Sequence, residues 1–342
     1  MEHIAIDLGG KESQICVRDA TGVILEERRC PTAELDRFLQ DRPPSRVILE
    51  TCAEAFRVAD VARAAGHDAR VVAASLVRAL GVGARRTKYD RRDAQVLSEV
   101  SCRVEVPSVH IPTLASRERK SMCAMRESLV RARTQLANCV HGWLRMQGIR
   151  IGRSNVVSLT RRVRAQVPTR PLYVERQLEI LDELHARIRQ ANTDLRRLAK
   201  HDPLCRRLMT APGVGSNTAL RFVAALDDVA RFSDAHHVAS YLGLAPGERS
   251  SGATQRRTGI TKAGSPAVRH CLVQAAWATK RMRVHGPLQR WGARIQRRHG
   301  KQVAAVAVAR KLSGILYALW RDGTTYEPGR AARDVLAPRP RA

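Results

Sequence analysis

The sequence predicts three parts in order: an α/β domain, a long helical arm and a mostly α C-terminal domain. Three observations predict them. Short β-rich runs alternate with helical ones from His3 to Ala73, apolar residues then recur at three- and four-residue steps from Ser116 to Leu198, and helical patterning resumes after His201-Asp202-Pro203. A chain of 342 residues suits two or three domains at roughly 150 residues each.

His3 to Leu8 is a short β-rich run, Ser13 to Arg18 alternates, and Gly22 to Leu25 follows a Thr-Gly turn, so three strands with tight connections are expected. Thr32 is placed to cap a helix over Ala33 to Gln40, and Pro43-Pro44 separates that helix from a strand at Arg46 to Glu50. A helix from Glu54 to Ala65 ends at Gly66 and leads into a strand at Ala69 to Ala73, with a further helix over Asp90 to Cys102. The order β-β-β-α-β-α-β followed by a helix is that of an RNase H-like (RuvC-like) α/β sheet.

Met122, Met125, Leu129, Ala132, Leu136, Val140 and Trp143 mark one face of a long amphipathic helix between Ser116 and Gly148. Val174, Leu178, Leu181, Leu184, Ile188, Ala191, Leu195 and Leu198 mark a second, so a helical hairpin or coiled-coil arm is expected. The connection carries Arg150, Arg153, Arg161, Arg162, Arg164 and Arg170 and no acidic residue, which makes it either a positive tip for a phosphate backbone or a solvated loop. Beyond the arm, Leu208 to Ala219 contains Pro212-Gly213-Val214-Gly215, the pattern of a helix-hairpin-helix element or of a tight turn between packed helices.

Charge narrows the function. Lys plus Arg number 60 against 32 Asp plus Glu, a formal charge of +28, which implies a polyanionic partner rather than a small neutral metabolite. From Arg249 through Arg321 there are sixteen Lys and Arg and no acidic residue. The 44% hydrophobic content is enough for a folded core, unlike a disordered basic tail. No stretch approaches the ~18 uninterrupted apolar residues of a membrane span and no leader pattern opens the chain, so a cytoplasmic, nucleoid-associated protein is expected. Eight dispersed cysteines without a C-x-x-C pair read as free thiols, mostly buried.

Against this basic background four carboxylates stand out. Asp7 ends the first strand, Glu50 ends the fourth, and Asp90 and Asp93 share one face of the helix after the fifth. Each has a plain local reading, as a turn residue, a cap or a partner of the helix dipole. Together, on central neighbouring strands, they would repel one another unless cations hold them; two Mg²⁺ ions roughly 3.5 to 4 Å apart would make a phosphoryl-transfer site.

Ile4-Ala5-Ile6-Asp7, Leu49-Glu50-Thr51 and Lys88-Tyr89-Asp90-Arg91-Arg92-Asp93-Ala94 resemble the DEDD domain of the bridge-RNA-guided transposases and recombinases of the insertion sequence one-ten family, which includes the pilin-gene invertases. The likeness continues through Pro212-Gly213-Val214-Gly215, Tyr241 to Pro246, Ser250-Ser251-Gly252, Thr258 to Gly264 and Arg269, nearly the whole chain in order, with Ala253 standing where many members carry a second glycine. The patterning together with the resemblance divides the chain into an RNase H-like DEDD catalytic domain (1–110), a helical coiled-coil linker or arm (111–202), a C-terminal transposase domain with a serine loop (203–325) and a flexible tail (326–342). It implies DNA strand cutting and rejoining with Mg²⁺ on Asp7, Glu50, Asp90 and Asp93, and a covalent phosphoserine link at Ser251, with Ser250 as the fallback nucleophile.

By charge and, for arginine, by the fork geometry of the guanidinium, phosphate contacts are expected from Lys88, Arg249, Arg256, Arg257, Lys262 and Arg269, with plain surface exposure as the alternative for each. The partners that the resemblance implies are double-stranded donor and target DNA, a structured non-coding RNA, and further copies of the chain, as homodimers pairing into a tetramer. Only 4% of residues are aromatic, few for a protein that reads unstacked bases by ring stacking, which agrees with sequence choice by base pairing. Three other readings compete: an RNase H-like Holliday-junction-type nuclease that hydrolyses with water, an actin-like ATPase suggested by Ile6-Asp7-Leu8-Gly9-Gly10, and a non-enzymatic nucleic-acid-binding protein. The ATPase reading lacks a second glycine-rich loop and an adenosine motif, and the last gives the four carboxylates no purpose.

Overall fold

A computed structural model describes residues 1–79, 90–152, 156–251, 254–283 and 286–328, and the side chains of 78, 79, 90, 156, 249–251 and 254–257 lie outside that description. Lys88 and all but the first three residues of the expected 326–342 tail are therefore outside the described residues. The chain divides into two compact units, residues 1–112 and 113–342.

The first unit is a five-stranded sheet. Strands β1 (His3–Asp7), β2 (Glu12–Arg18) and β3 (Ile24–Pro31) form an antiparallel meander, and β4 (Arg46–Glu50) and β5 (Asp68–Val72) add in parallel beside β1, giving the order β3-β2-β1-β4-β5. Helices α1 (Leu35–Gln40) and α2 (Ala55–Ala64) link the later strands, and α3 (Ala74–Ala79) and α4 (Asp90–Arg103) follow β5. Strand alternation sorts the core into two layers. Ile4, Ile6, Val47 and Leu49 pack with Leu35, Leu39, Val58 and Ala62 of α1 and α2, whereas Ala5, Ile48 and Val72 pack with Leu97 of α4. Each fully buried Ile or Leu contributes about 1.5–3 kcal/mol, so a one-residue slip that exchanged the faces would be strongly disfavoured. Gly66 at φ +86 ends the α2 turn as expected.

Thr32 departs from its expected role. It starts a 3-10 turn without capping it; its buried hydroxyl donates to the carbonyl of Gly9 at 2.7 Å and pairs with Ser13 Oγ at 2.8 Å. The tertiary bonds win because Thr32 lies beneath the loop that follows β1.

In the second unit α5 (Leu114–Met146) and α7 (Leu172–His201) run antiparallel, with Arg119 bonded to Asp202 at 3.1 Å and Arg126 to Asn192 at 3.0 Å. The buried line on α5 is Ser116, Cys123, Ala137, Val140 and Leu144; Met125, expected inside, is 69% exposed because the packed stripe lies to one side of it. The connection is a helix rather than a loop, α6 (Val156–Gln166), whose Leu159 and Val163 close the distal end against Val174 and Leu178. Its charge is partly spent: Arg164 bonds Asp182 at 2.6 Å and Glu175 at 2.9 Å, and Arg170 also pairs with Glu175.

The base of this hairpin shares a core with the elements after it. These are α8 (Pro203–Leu208), α9 (Ser216–Leu226), α10 (Ala235–Tyr241), the hairpin β6 (Pro246–Ser251) and β7 (Thr254–Ile260), α11 (Pro266–Arg281) and α12 (Pro287–Arg321). Cys123, Leu195 and Ala199 pack in the same cluster as Phe222 and Leu272, which is why no boundary separates the arm from the residues after 202. Arg221, only 7% exposed, donates to the Cys123 carbonyl at 2.7 Å and fixes α9 to α5.

Helix α12 is not a straight rod. Its residue Gly300 has φ +83, and an added Cβ on Gly292 would lie 2.8 Å from Val308, although a straight helix would hold these residues about 24 Å apart. The helix therefore folds back at Gly300. By length and composition it could cross a membrane, with a window of mean hydropathy 1.4, but 61% of that window is buried in the protein.

Candidate active site

Asp7 and Glu50 end parallel neighbours in register, with Ala5 opposite Ile48 and Ile6 opposite Leu49, so the next residue on each strand brings the two carboxylates to one edge. Helix α4 supplies the third. Ser101 Oγ meets His3 Nδ1 at 2.8 Å, and Leu97 packs in the cluster of Ala5. Four helical residues rise about 6 Å, close to the rise of two strand residues, so the next step along α4 sets Asp93 at the level of Asp7. Asp7, Glu50 and Asp93 are each half-buried. Asp90 opens α4 one turn earlier, its side chain outside the described residues.

These are hard oxygen donors of the kind that suits Mg²⁺. Among the described residues, however, no three His, Cys, Asp or Glu side chains close into a group able to hold a metal ion. Strand register and the path of α4 thus set Asp7, Glu50 and Asp93 at one end of one sheet face; the four-carboxylate convergence expected from sequence lies partly outside the described residues, with the Asp90 side chain.

Several residues that the sequence reading missed hold this end of the sheet. An added Cβ on Gly9 would stand 2.2 Å from the Glu12 carbonyl oxygen, so the turn after Asp7 admits only glycine there, and Ser13 and Thr32 pin it. Thr51, just after Glu50, donates its N–H to the Val72 carbonyl at 2.9 Å and accepts from the Ala74 N–H at 3.1 Å. Glu27 on β3 accepts from Arg91 and Gln95 on α4; Gln95 and Arg91 together hold its carboxyl below the usual carboxylate range. Arg18 on β2 donates to Ser98 at 3.0 Å. Gly9, Thr51 and Arg91 lie in segments with a sequence signal, the Gly9-Gly10 pair, Leu49-Glu50-Thr51 and the Lys88 to Ala94 motif, and Thr32 stands out as an expected cap; the roles of Glu27, Gln95, Arg18 and Ser98 depend on which strands lie beneath α4.

In the second unit the serines sit on a β-hairpin that the mostly α expectation did not contain. Ser251 pairs with Thr254 at the last register position, Ser250 with Gln255, Arg249 with Arg256 and Glu248 with Arg257. Gly252 and Ala253 lie outside the described residues. The hairpin is rooted by the motif residues around it. Thr261 N–H donates to the Ala245 carbonyl at 2.9 Å, Lys262 N–H to that of Gly243 at 3.1 Å, and an added Cβ on Gly264 would meet the Tyr241 carbonyl at 2.0 Å.

Two expected nucleic-acid residues therefore differ in kind. Arg269 donates from one nitrogen to the carbonyls of Gly264 at 2.5 Å and Leu242 at 3.2 Å, clamping the hairpin root, whereas Lys262 is exposed. The expected helix-hairpin-helix turn is likewise tied inward. A Cβ on Gly213 would lie 2.2 Å from the Ala275 carbonyl, and Thr279 donates to the Pro212 carbonyl at 2.7 Å, so this glycine serves packing on α11. The eight cysteines are all free, five of them buried.

With this geometry in hand, similarity to known proteins adds the chemical context. A DEDD-type IS110 transposase model matches residues 4–147, and a model of the transposase IS116/IS110/IS902 family matches residues 205–291. The first span contains Asp7, Glu50, Asp90 and Asp93, and the second contains Ser251. A probable family 20 transposase of Pseudomonas aeruginosa is 31% identical over 340 residues, covering 96% of this chain and 99% of that protein. The transposase for insertion sequence element IS1328 of Yersinia enterocolitica is 29% identical over 335 residues, covering 94% and 98%. A pilin gene-inverting protein of Moraxella bovis is 30% identical over 122 residues, covering 35% and 38%.

Proposed function

Since the chain belongs to the IS116/IS110/IS902 family of insertion-sequence transposases, we propose that it moves its own element by cutting and rejoining DNA with the Asp7, Glu50, Asp90, Asp93 group and Ser251. The observation that carries the reading is the arrival of Asp7, Glu50 and Asp93 at one end of one sheet face, from two parallel strands and a helix antiparallel to them. The order β3-β2-β1-β4-β5 with α4 over Asp7 supports an RNase H-like ancestry for this unit. Two Mg²⁺ ions held by the four carboxylates would neutralise phosphate charge and stabilise both the attacking and the leaving oxygen.

The serine hydroxyl forms an ester to phosphorus as the bond from phosphorus to a deoxyribose oxygen breaks. The serine proton is lost and the departing sugar oxygen gains one, so the step is isoenergetic in bond type and reverses when a sugar hydroxyl of the new strand attacks. The basic segment 249–321 supports binding of the DNA backbone, with Arg249, Arg256, Arg257 and Lys262 as phosphate contacts and Arg269 as the clamp of the hairpin root. Lys88 joins them on sequence grounds.

A structured RNA that selects donor and target by pairing fits a surface rich in charge and poor in aromatics. The antiparallel α5–α7 pair, acting as a coiled-coil arm, would join copies into dimers and a tetramer that bring serines and carboxylates to one phosphate. The work would be done on chromosomal DNA in the bacterial cytoplasm.

The test is covalent trapping. Protein, Mg²⁺, the RNA flanking the element and labelled donor DNA are mixed and resolved under denaturing conditions. A labelled protein band that vanishes in Ser251→Ala supports the phosphoserine step. Cleavage without a band, unchanged in that variant, would leave a nuclease that hydrolyses with water.

A further inference from the structure

A cavity of about 700 Å³ opens at the root of the serine hairpin, between β6, β7, α10 and the two limbs of α12. Its walls are apolar, from Leu244, Ile260, Val306 and Ala307. Its lining also includes Lys262, Arg310 and Lys311 and no acidic residue. An apolar pocket with cationic side chains in its lining favours a ligand with one apolar part and one anionic part. The aromatic wall is Trp291, whose ring lies 4.5 Å from the Lys311 ammonium.

We propose that this cavity receives a single DNA nucleotide turned out of its stack, with the base against Trp291 and the apolar wall and its phosphate on Lys262 and Arg310. The volume falls within the range of ligand pockets, about 300–1,000 Å³, and accommodates one nucleotide. Position decides for DNA. Pro246, at the cavity, and Ser251 are the two ends of β6, which spans about 16 Å, or about five base steps of duplex. The proposal rests on the transposase reading, which brings the DNA strand to Ser251.

Lys311 agrees with this geometry. Burial, with Arg294 nearby, pushes this lysine down to about 8. A phosphate arriving beside it favours the charged form.

The experiment compares the purified full chain on two labelled duplexes of one sequence, one fully paired and one with a single unpaired adenine, by fluorescence anisotropy. The wild type should bind the bulged duplex about tenfold tighter. Ala307→Trp, which fills the cavity, should bring the ratio to about one, as should Trp291→Ala. If Ala307→Trp does not fold, Val303→Trp at the exposed rim is read in its place. Equal binding of the two duplexes by wild type overturns the proposal, as does a preference that survives filling of the cavity, or one seen only for an unpaired ribonucleotide in RNA. The ratio is read also in Ser251→Ala; a tenfold ratio there with no adduct from wild type would sink the serine reading and keep this one.

Discussion

Glu27 on β3 holds Arg91 on α4, Nε to Oε2 3.0 Å, two residues before Asp93 and next to Asp90. The same carboxylate accepts from Gln95. A β-strand at the sheet edge thereby sets the position of the helix that carries two of the four proposed carboxylates, Asp90 and Asp93.

Replacing Glu27 with Gln should loosen the first turns of α4. Strand cleavage should fall by about tenfold and stability by about 1 kcal/mol, the Arg91 side being largely exposed. The Glu27 carboxyl is held below its ordinary 4.5 by Gln95 and Arg91, so its contribution is present above pH 4.5 and is lost as pH falls through the lower folded value. Urea melts at pH 7 and near pH 3 should show the gap between wild type and variant closing in acid. A gap of equal size at both would show that the ion pair does not stabilise the fold.

Gly9→Ala should cost about 2–3 kcal/mol, because its Cβ would meet the Glu12 carbonyl, while Gly10→Ala meets nothing within 4 Å and should melt like wild type. Similar midpoints for both variants would contradict the tight turn after Asp7.

Asp93→Asn should abolish strand cleavage and leave DNA affinity within about threefold, and chelation of divalent metal should mimic it. Thermal melting of the variant is the control; loss of folding together with binding would assign the carboxylate to structure.

Arg257→Ala and Arg269→Ala should part company. The first removes a proposed phosphate contact and should reduce the slope of log affinity against log salt by about one. The second removes the bonds to Gly264 and Leu242 and should cost about 2 kcal/mol of stability with the slope unchanged. Salt titrations and urea melts on both variants decide this, and a lowered slope in Arg269→Ala would return that residue to the DNA surface.

The α/β order, the two arm helices and the positions of the carboxylates were legible because they are local. Ile4, Ala5 and Ile6 alternate between two core layers, and Val174, Leu178 and Leu181 repeat at helical steps, so periodicity alone shows which side of each element meets the core. The β6–β7 hairpin escaped because Glu248 to Arg257 is almost entirely polar or small in sequence and shows no alternation of apolar and polar residues. Helix α6 was obscured by its arginines, two of the connection's six being neutralised only by Glu175 and Asp182 on another helix.

By itself the sequence determined the excess of positive charge, the strand ends at Asp7 and Glu50, and the helix that carries Asp93. The tertiary structure alone decided that α4 lies antiparallel over β1, that Gly213 and Arg269 are spent on packing and clamping, and that α12 turns back at Gly300 to wall a cavity beside the serine hairpin. The physical reason is that periodicity records whether a side chain is buried, whereas its partner is set by closure of long chain segments, which no local pattern encodes.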